Sequence, residues 1–182
     1  MLNIKINNIK KINDKNRACF LLLKNKYKVT AGGLLIHNKQ NNKYLLQYNY
    51  NKNRWDDFGG KVDWGDNNIF DTIIRETYEE SNYLIANKNN KINFNKCSFY
   101  YIKDCKYFLT IIDSNNIKIC GDLLEYGEIE QSGGYKRKLE WININNKNKI
   151  NLNGRLKYYF NKKYIKISID KDKNNKKWVI RQ

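Results

Sequence analysis

Gly59 to Tyr83, reading GGKVDWGDNNIFDTIIRETYEESNY, constrains this chain more than any other stretch. A paired glycine turn leads into a segment whose apolar residues recur at helical spacing. On a wheel of about 100° per residue, Glu76, Glu79 and Glu80 fall within an arc of roughly 100°. Phe70, Ile73, Ile74, Thr77 and Tyr78 fall on a separate arc of roughly 140°. The spacing predicts an amphipathic helix from about Ile69 to Asn82, capped by Asp66, Asn67 or Asn68. One arc is suited to burial. The other gathers three carboxylates in a chain whose formal net charge is +17.

Carboxylates at i, i+3 and i+4 raise one another's pKa unless cations neutralise them. Hard divalent ions, Mg²⁺ or Mn²⁺, do this best and are often shared with substrate phosphates. The Gly59-Gly60 turn lets bare backbone approach such a site, and Lys61 beside it is suited to meet a phosphate. Glutamates at this spacing are also common on solvated helix faces. The added Arg75, glycine turn and lysine turn the pattern toward metal-assisted phosphoanhydride hydrolysis.

The 182 residues suffice for one domain with a real core, and hydrophobic residues make up 41% of them. Strands are expected at Ala18 to Leu23, Tyr27 to His37, Tyr44 to Tyr48, Cys97 to Ile102, Lys106 to Asp113 and Leu139 to Ile144. The second and third of these should pair as a hairpin, and Ile117 to Cys120 is expected to extend the sheet. A second helix is expected at Leu152 to Tyr159. Residues 1–17 read as a polar arm or edge strand; Ile165 to Ile169 adds a strand before a basic tail, residues 170–182. An acidic loop, Gly121 to Gly134, carries Asp122, Glu125, Glu128 and Glu130 and has the character of a cover over a site. Taken together this is an α+β domain spanning residues 1–182.

The amino-terminal residues alternate Ile with Lys and Asn and form neither a signal peptide nor a membrane span. Cys19, Cys97, Cys105 and Cys120 lack metal-ligand spacing and read as reduced thiols of a cytoplasmic protein. The net charge of +17 favours polyanionic partners such as nucleotides or nucleic acid, although codon bias toward Lys and Asn accounts for part of it. No membrane partner is expected, and the oligomeric state is not written in the sequence. The lone His37 reads as structural or exposed, and Trp141 as core.

The central stretch resembles the Nudix box of the MutT-like hydrolases, G-x5-E-x7-R-E-U-x-E-E-x-G-U, where U is aliphatic. Gly60 matches the leading glycine, Asp66 follows at the family spacing, and Arg75, Glu76, Glu79 and Glu80 reproduce R-E-U-x-E-E. The departures are Phe58 where proline is usual, Asp66 for glutamate, eight residues instead of seven before Arg75, Thr77 at an aliphatic position, and Asn82-Tyr83 for the closing Gly-U. Asn is the next best residue for a left-handed cap. The resemblance implies a Nudix fold, a mixed β-sheet sandwiched between α-helices, and Mg²⁺ or Mn²⁺ held by Glu76, Glu79, Glu80 and the carbonyl of Gly59. It implies that Arg75 orients Glu76. The general base would be a box glutamate or a loop acid, of which Glu128, beside Gly127, is favoured. Lys61, Gly60, Trp55 and Arg155 are the expected substrate contacts; Arg155 either reaches a phosphate or pairs with an acid, and Trp64 shares the rim with Trp55. The implied substrate is a nucleoside diphosphate linked to another group. Alternatives are an RNA 5′-end enzyme, favoured by the basic charge and tyrosines, and a non-catalytic RNA-binding module on the same fold.

Overall fold

The computed structural model describes residues 4–5, 18–22, 26–86, 91–121, 123–172 and 177–181. The strands of its first half are β1 (Ile4–Lys5), β2 (Phe20–Leu22), β3 (Tyr27–Val29), β4 (Ala31–Asn38), β5 (Lys43–Asn49), β6 (Arg54–Asp56) and β7 (Phe58–Lys61). After α1 (Ile69–Glu80) come β8 (Cys97–Ile102), β9 (Tyr107–Asp113), β10 (Arg137–Asn143), α2 (Gly154–Phe160), β11 (Ile165–Asp172) and β12 (Lys177–Arg181).

Ten of these strands form one sheet in the order β1-β12-β11-β8-β9-β4-β5-β10, with β6 added to β5 and β7 to β4. The β4 and β9 strands run parallel, from Ala31 opposite Tyr107 to His37 opposite Asp113, and the other pairings are antiparallel. The sheet is therefore mixed. Successive strand residues point to opposite faces, and β4 uses both. Leu34 and Ile36 join one core with Ile69, Phe70 and Ile73 of α1, while Leu35 joins a second with Leu156 of α2 and Leu109. The α+β arrangement with a helix on each face matches the expectation.

Several elements differ from the sequence reading. The single strand expected from Tyr27 to His37 is two strands, because the Thr30 amide bonds to the Lys106 carbonyl (3.0 Å) while its carbonyl accepts from Val62 (3.0 Å), and the chain changes sheets there. Ile117 to Cys120 adds no strand; a Cys120 amide bond to the Leu84 carbonyl (2.8 Å) ties that segment to the loop after α1 instead. The basic tail contributes β12, which pairs with β11 and with Ile4–Lys5, so that part of the expected arm is an edge strand. The remaining arm residues and the loop at 87–90 lie outside the described residues. The second helix starts at Gly154 because Asn153 caps it, accepting from the Leu156 amide at 2.8 Å. Among the described residues no helix is long and apolar enough to cross a membrane.

Candidate active site

The α1 helix begins at Asn68, whose side chain accepts from the Phe70 and Asp71 amides, and ends where Asn82 takes the left-handed conformation at φ 48°. Asn82 thus serves in place of the closing glycine. Its side chain also donates to the carbonyls of Tyr126 (2.7 Å) and Ile129 (2.9 Å) and accepts from the Gln131 amide (2.8 Å). Asn82 thus ties the acidic loop to the end of the box helix, together with the Tyr126 hydroxyl, which donates to the Glu80 carbonyl at 3.2 Å.

The wheel of α1 is rotated relative to the expected one. Its buried residues are Ile69, Phe70, Thr72, Ile73, Thr77 and Glu80, whereas Ile74 is 38% exposed. These buried positions span roughly 160° of the wheel, and Glu80 lies near their middle. The carboxylate arc and the buried arc overlap. Glu80 is consequently packed inside, where Oε2 accepts from the Gly59 amide and Gln47 (both 2.6 Å) and Oε1 accepts from Arg137 (3.1 Å). Burial pushes its pKa up to about 8 against the opposing pull of Arg137 and Arg155.

Glu76 lies under the glycine turn. A Cβ on Gly60 would land on its carboxylate, so only glycine permits this approach. Arg75 gathers the box from its other side. Its guanidinium donates to Glu76 (2.7 Å), Glu79 (3.4 Å), the Lys61 carbonyl (2.9 Å) and both oxygens of Asp66 (3.2 and 3.1 Å). Asp66 also accepts from Thr72 (2.7 Å) and the Asp63 amide (2.9 Å). Burial works to raise the Asp66 pKa, but the hydrogen bonds from Arg75, Asp63 and Thr72 prevail and hold it low. For Glu76, burial outweighs Arg75 and the pKa is raised. The shorter Asp66 side chain therefore still reaches Arg75. Between Asp66 and the Asn68 cap, the Asn67 amide donates to Asp71 at 2.9 Å.

A second network closes the turn from α2. Arg155 Nε donates to Asp57 (2.6 Å), its Nη2 donates to the Gly59 carbonyl (2.8 Å), and its guanidinium lies 4.5 Å from the Tyr107 ring centre. Tyr107 donates to the other oxygen of fully buried Asp57 at 2.7 Å. Asn153 donates to Asp56 (2.6 Å) and Asp57 (3.3 Å). A Cβ on Gly33 or Gly59 would collide with the Tyr107 hydroxyl. Arg155 thus pairs with an acid while holding the carbonyl expected as a metal ligand. Sequence reasoning missed Asp57, Tyr107, Gln47 and Arg137; the one available signal was a pair of acids, Asp56-Asp57, set against Phe58 and the glycines.

A cleft of about 800 Å³ is lined by Gly59, Gly60, Lys61, Trp64, Arg75, Glu76, Glu80 and Arg155, with Lys52 and Arg54 on its border; Asp66 and Glu79 do not line it. Trp55 does not line it; the ring packs 5.0 Å from Tyr48, because β6 turns it to the face opposite Asp56. Glu128 is also not brought to the cleft. Its side chain is 78% exposed and pairs with Lys136 at 3.3 Å. Glu130 is buried instead, 2.7 Å from Arg137 Nε in an ion pair that lacks hydrogen-bond alignment. His37 stacks on Tyr44 at 4.2 Å and does not line the cleft, and Trp141 is half-buried against the core. A second cavity, of about 400 Å³, lies along α2 and holds none of the box residues.

The donor set is hard oxygen, with the Glu76 carboxylate seated on Gly60, and hard oxygen suits Mg²⁺ or Mn²⁺. Among the described residues no three His, Cys, Asp or Glu side chains are already arranged around one ion position. Glu76 and Glu79 are turned to Arg75, and Glu80 to Gly59 and Arg137.

No protein-family model matches the chain, and no curated protein does. Among solved structures it is similar to an Ap4A hydrolase of C. elegans in a binary complex, with 22% identity over 74% of this chain and 93% of that one and a TM-score of 0.45. A second structure of C. elegans Ap4A hydrolase gives 21% identity over 74% and 95% and a TM-score of 0.43. A mutator MutT protein from Bacillus halodurans gives 18% identity over 72% and 78% and a TM-score of 0.44. At these values the overlap carries no weight on function, which has to be read from the site itself.

Proposed function

We propose that the protein is a Mg²⁺- or Mn²⁺-dependent pyrophosphohydrolase of the Nudix type. Its substrate would be a nucleoside diphosphate linked to a second group. The observation that carries this reading is the Arg75 network, which draws Asp66, Glu76, Glu79 and the Lys61 carbonyl to one guanidinium beside the glycine turn. Of the residues matched to the box, Gly60, Arg75, Glu76 and Glu80 line one cleft, which supports the reading.

Glu76, Glu79, Glu80 and the Gly59 carbonyl are the groups that would hold the ion. When bound, a divalent cation lowers the pKa of an attacking water and offsets phosphate charge. Glu76, with its raised pKa, is suited to accept the proton of that water at its carboxylate. The water oxygen then forms a bond to phosphorus as the bridging P–O bond breaks, leaving two phosphate monoesters. Arg75 orients Glu76. Lys61 and Lys52, both exposed at the cleft and without an ion pair among the described residues, are suited to meet phosphate oxygens. The Arg155 network keeps the Gly59 peptide in register by binding its carbonyl while Glu80 binds its amide.

The test is a substrate panel of nucleoside diphosphate derivatives, dinucleoside polyphosphates and capped RNA, with released phosphate measured in Mg²⁺ and in chelator. Divalent-dependent release from any member supports the reading. No release from any of them favours a binding module.

A further inference from the structure

Rings and cations alternate along the sheet edge made by β10, β5 and β6. Lys138, Tyr48 and Trp55 are direct cross-strand neighbours. The Lys138 ammonium lies 5.8 Å from the Tyr48 ring centre and 5.3 Å from that of Trp55. Beside this row, the Tyr50 amide bonds to the Lys136 carbonyl (3.3 Å), and the Lys136 ammonium lies 5.1 Å from the Tyr50 ring. Tyr50 is 41% exposed. It opens the short 3₁₀ turn Tyr50–Lys52, beyond which Lys52 and Arg54 border the catalytic cleft. Lys138, Tyr48 and Trp55 lie on the sheet face opposite Asp56, and the Tyr50–Lys52 turn connects that face to the border of the cleft.

We infer that this row is a docking surface for single-stranded nucleic acid whose 5′ phosphates enter the cleft. Only the direction of the strand rests on the hydrolase reading. Unselective binding of single strands needs π-faces on which bases stack and cations that follow the backbone. Both are present in alternation here, in a chain of net charge +17. A single nucleotide would be housed by the cleft and would leave the row unused. An acidic peptide would engage the lysines and leave the rings unused. The acids beside the lysines do not block the surface. Glu128 on Lys136 (3.3 Å) and Glu140 on Lys138 (3.0 Å) are exposed pairs. Such pairs are weak and yield readily to phosphate.

The test is fluorescence anisotropy of labelled single-stranded oligouridylate and oligothymidylate, each with a 5′ monophosphate, over a salt series. Tyr50→Ala is expected to weaken binding about tenfold. Lys136→Gln with Lys138→Gln should lower the slope of log affinity against log salt by about 1.4, at about 0.7 per phosphate contact. Polyglutamate should compete poorly. Hydrolysis of a small nucleotide substrate, where present, should not change in these variants. Weakened oligonucleotide binding supports the surface even in a protein that releases no phosphate from any substrate. Wild-type binding by Tyr50→Ala and by the lysine pair, or displacement by polyglutamate as effective as by unlabelled oligonucleotide, overturns it even in an active hydrolase.

Discussion

Two arginines grip the Gly59–Lys61 segment from opposite sides of the sheet, and they do so differently. Arg75 is local: its acidic partners lie one to nine residues away, its side chain is 31% exposed, and it divides its donors among Asp66, Glu76 and Glu79. Arg155 is remote and more enclosed: it reaches back 98 residues to Asp57, which is fully buried, and to the Gly59 carbonyl. A half-exposed arginine with several carboxylates can release one of them to a cation at small cost. A buried pair cannot be opened cheaply, because the remaining charge is left without solvent or partner. The Arg75 side is suited to chemistry and the Arg155 side to holding the frame.

The largest expected effect lies on the Arg75 side. Glu76→Gln should lower kcat by about 10²–10⁴-fold with little change in melting temperature, as read by steady-state kinetics and calorimetry. On the Arg155 side the sign of the comparison reverses. Asp57→Ala should destabilise the fold by about 3–5 kcal/mol, a fall in Tm on the order of 10 °C. If Asp57→Ala leaves Tm intact, the frame is not where the structure locates it.

Glu80 joins the two sides, and pH separates its contribution. Its folded pKa, about 8, lies above its ordinary 4.5, so the fold favours the protonated acid. That contribution is complete below about pH 4.5 and is lost as pH rises through 8. Glu76 shifts in the same direction, and Asp66 in the opposite one, with its contribution lost as pH falls. In chelator, thermal stability of the wild type should therefore decline between pH 5 and 9 more steeply than that of Glu80→Gln. Equal slopes would contradict the burial of Glu80. Arg75→Lys should be milder, about 10- to 100-fold in activity, since a lysine cannot span Asp66 and Glu76 with a planar fork. Glu128→Gln is the smallest, with activity expected within about twofold, because its exposed pair with Lys136 contributes at most about 1 kcal/mol.

The same contrast explains what could be read from the sequence. The α1 helix, its Asn68 cap, the left-handed Asn82 and the Arg75 cluster all depend on residues within about one helical length of one another, where spacing is informative. The orientation of α1 differs from the wheel because a wheel ranks residues by polarity, which sends a glutamate outward. Glu80 goes inward because Gln47, Arg137 and the Gly59 amide are waiting there. Those partners come from β5, β10 and β7, and no local pattern announces them. Asp57, Tyr107 and Asn153 are hidden for the same reason, being joined to Arg155 only when the β4–β9 pairing and α2 come together across the sheet. Sequence favours Glu128 for the freedom of Gly127 beside it. The loop's docking through Asn82 and Arg137 instead buries Glu130 and leaves Glu128 in solvent.

The most direct measurement is phosphate release from the substrate panel by wild type and Glu76→Gln, each titrated with Mg²⁺ after chelator treatment. Wild-type release that rises with Mg²⁺ and falls at least 100-fold in Glu76→Gln is the expected result. Release by Glu76→Gln at the wild-type rate, or wild-type release that persists undiminished in chelator, would contradict a divalent-dependent catalytic role for the Arg75–Glu76 cluster.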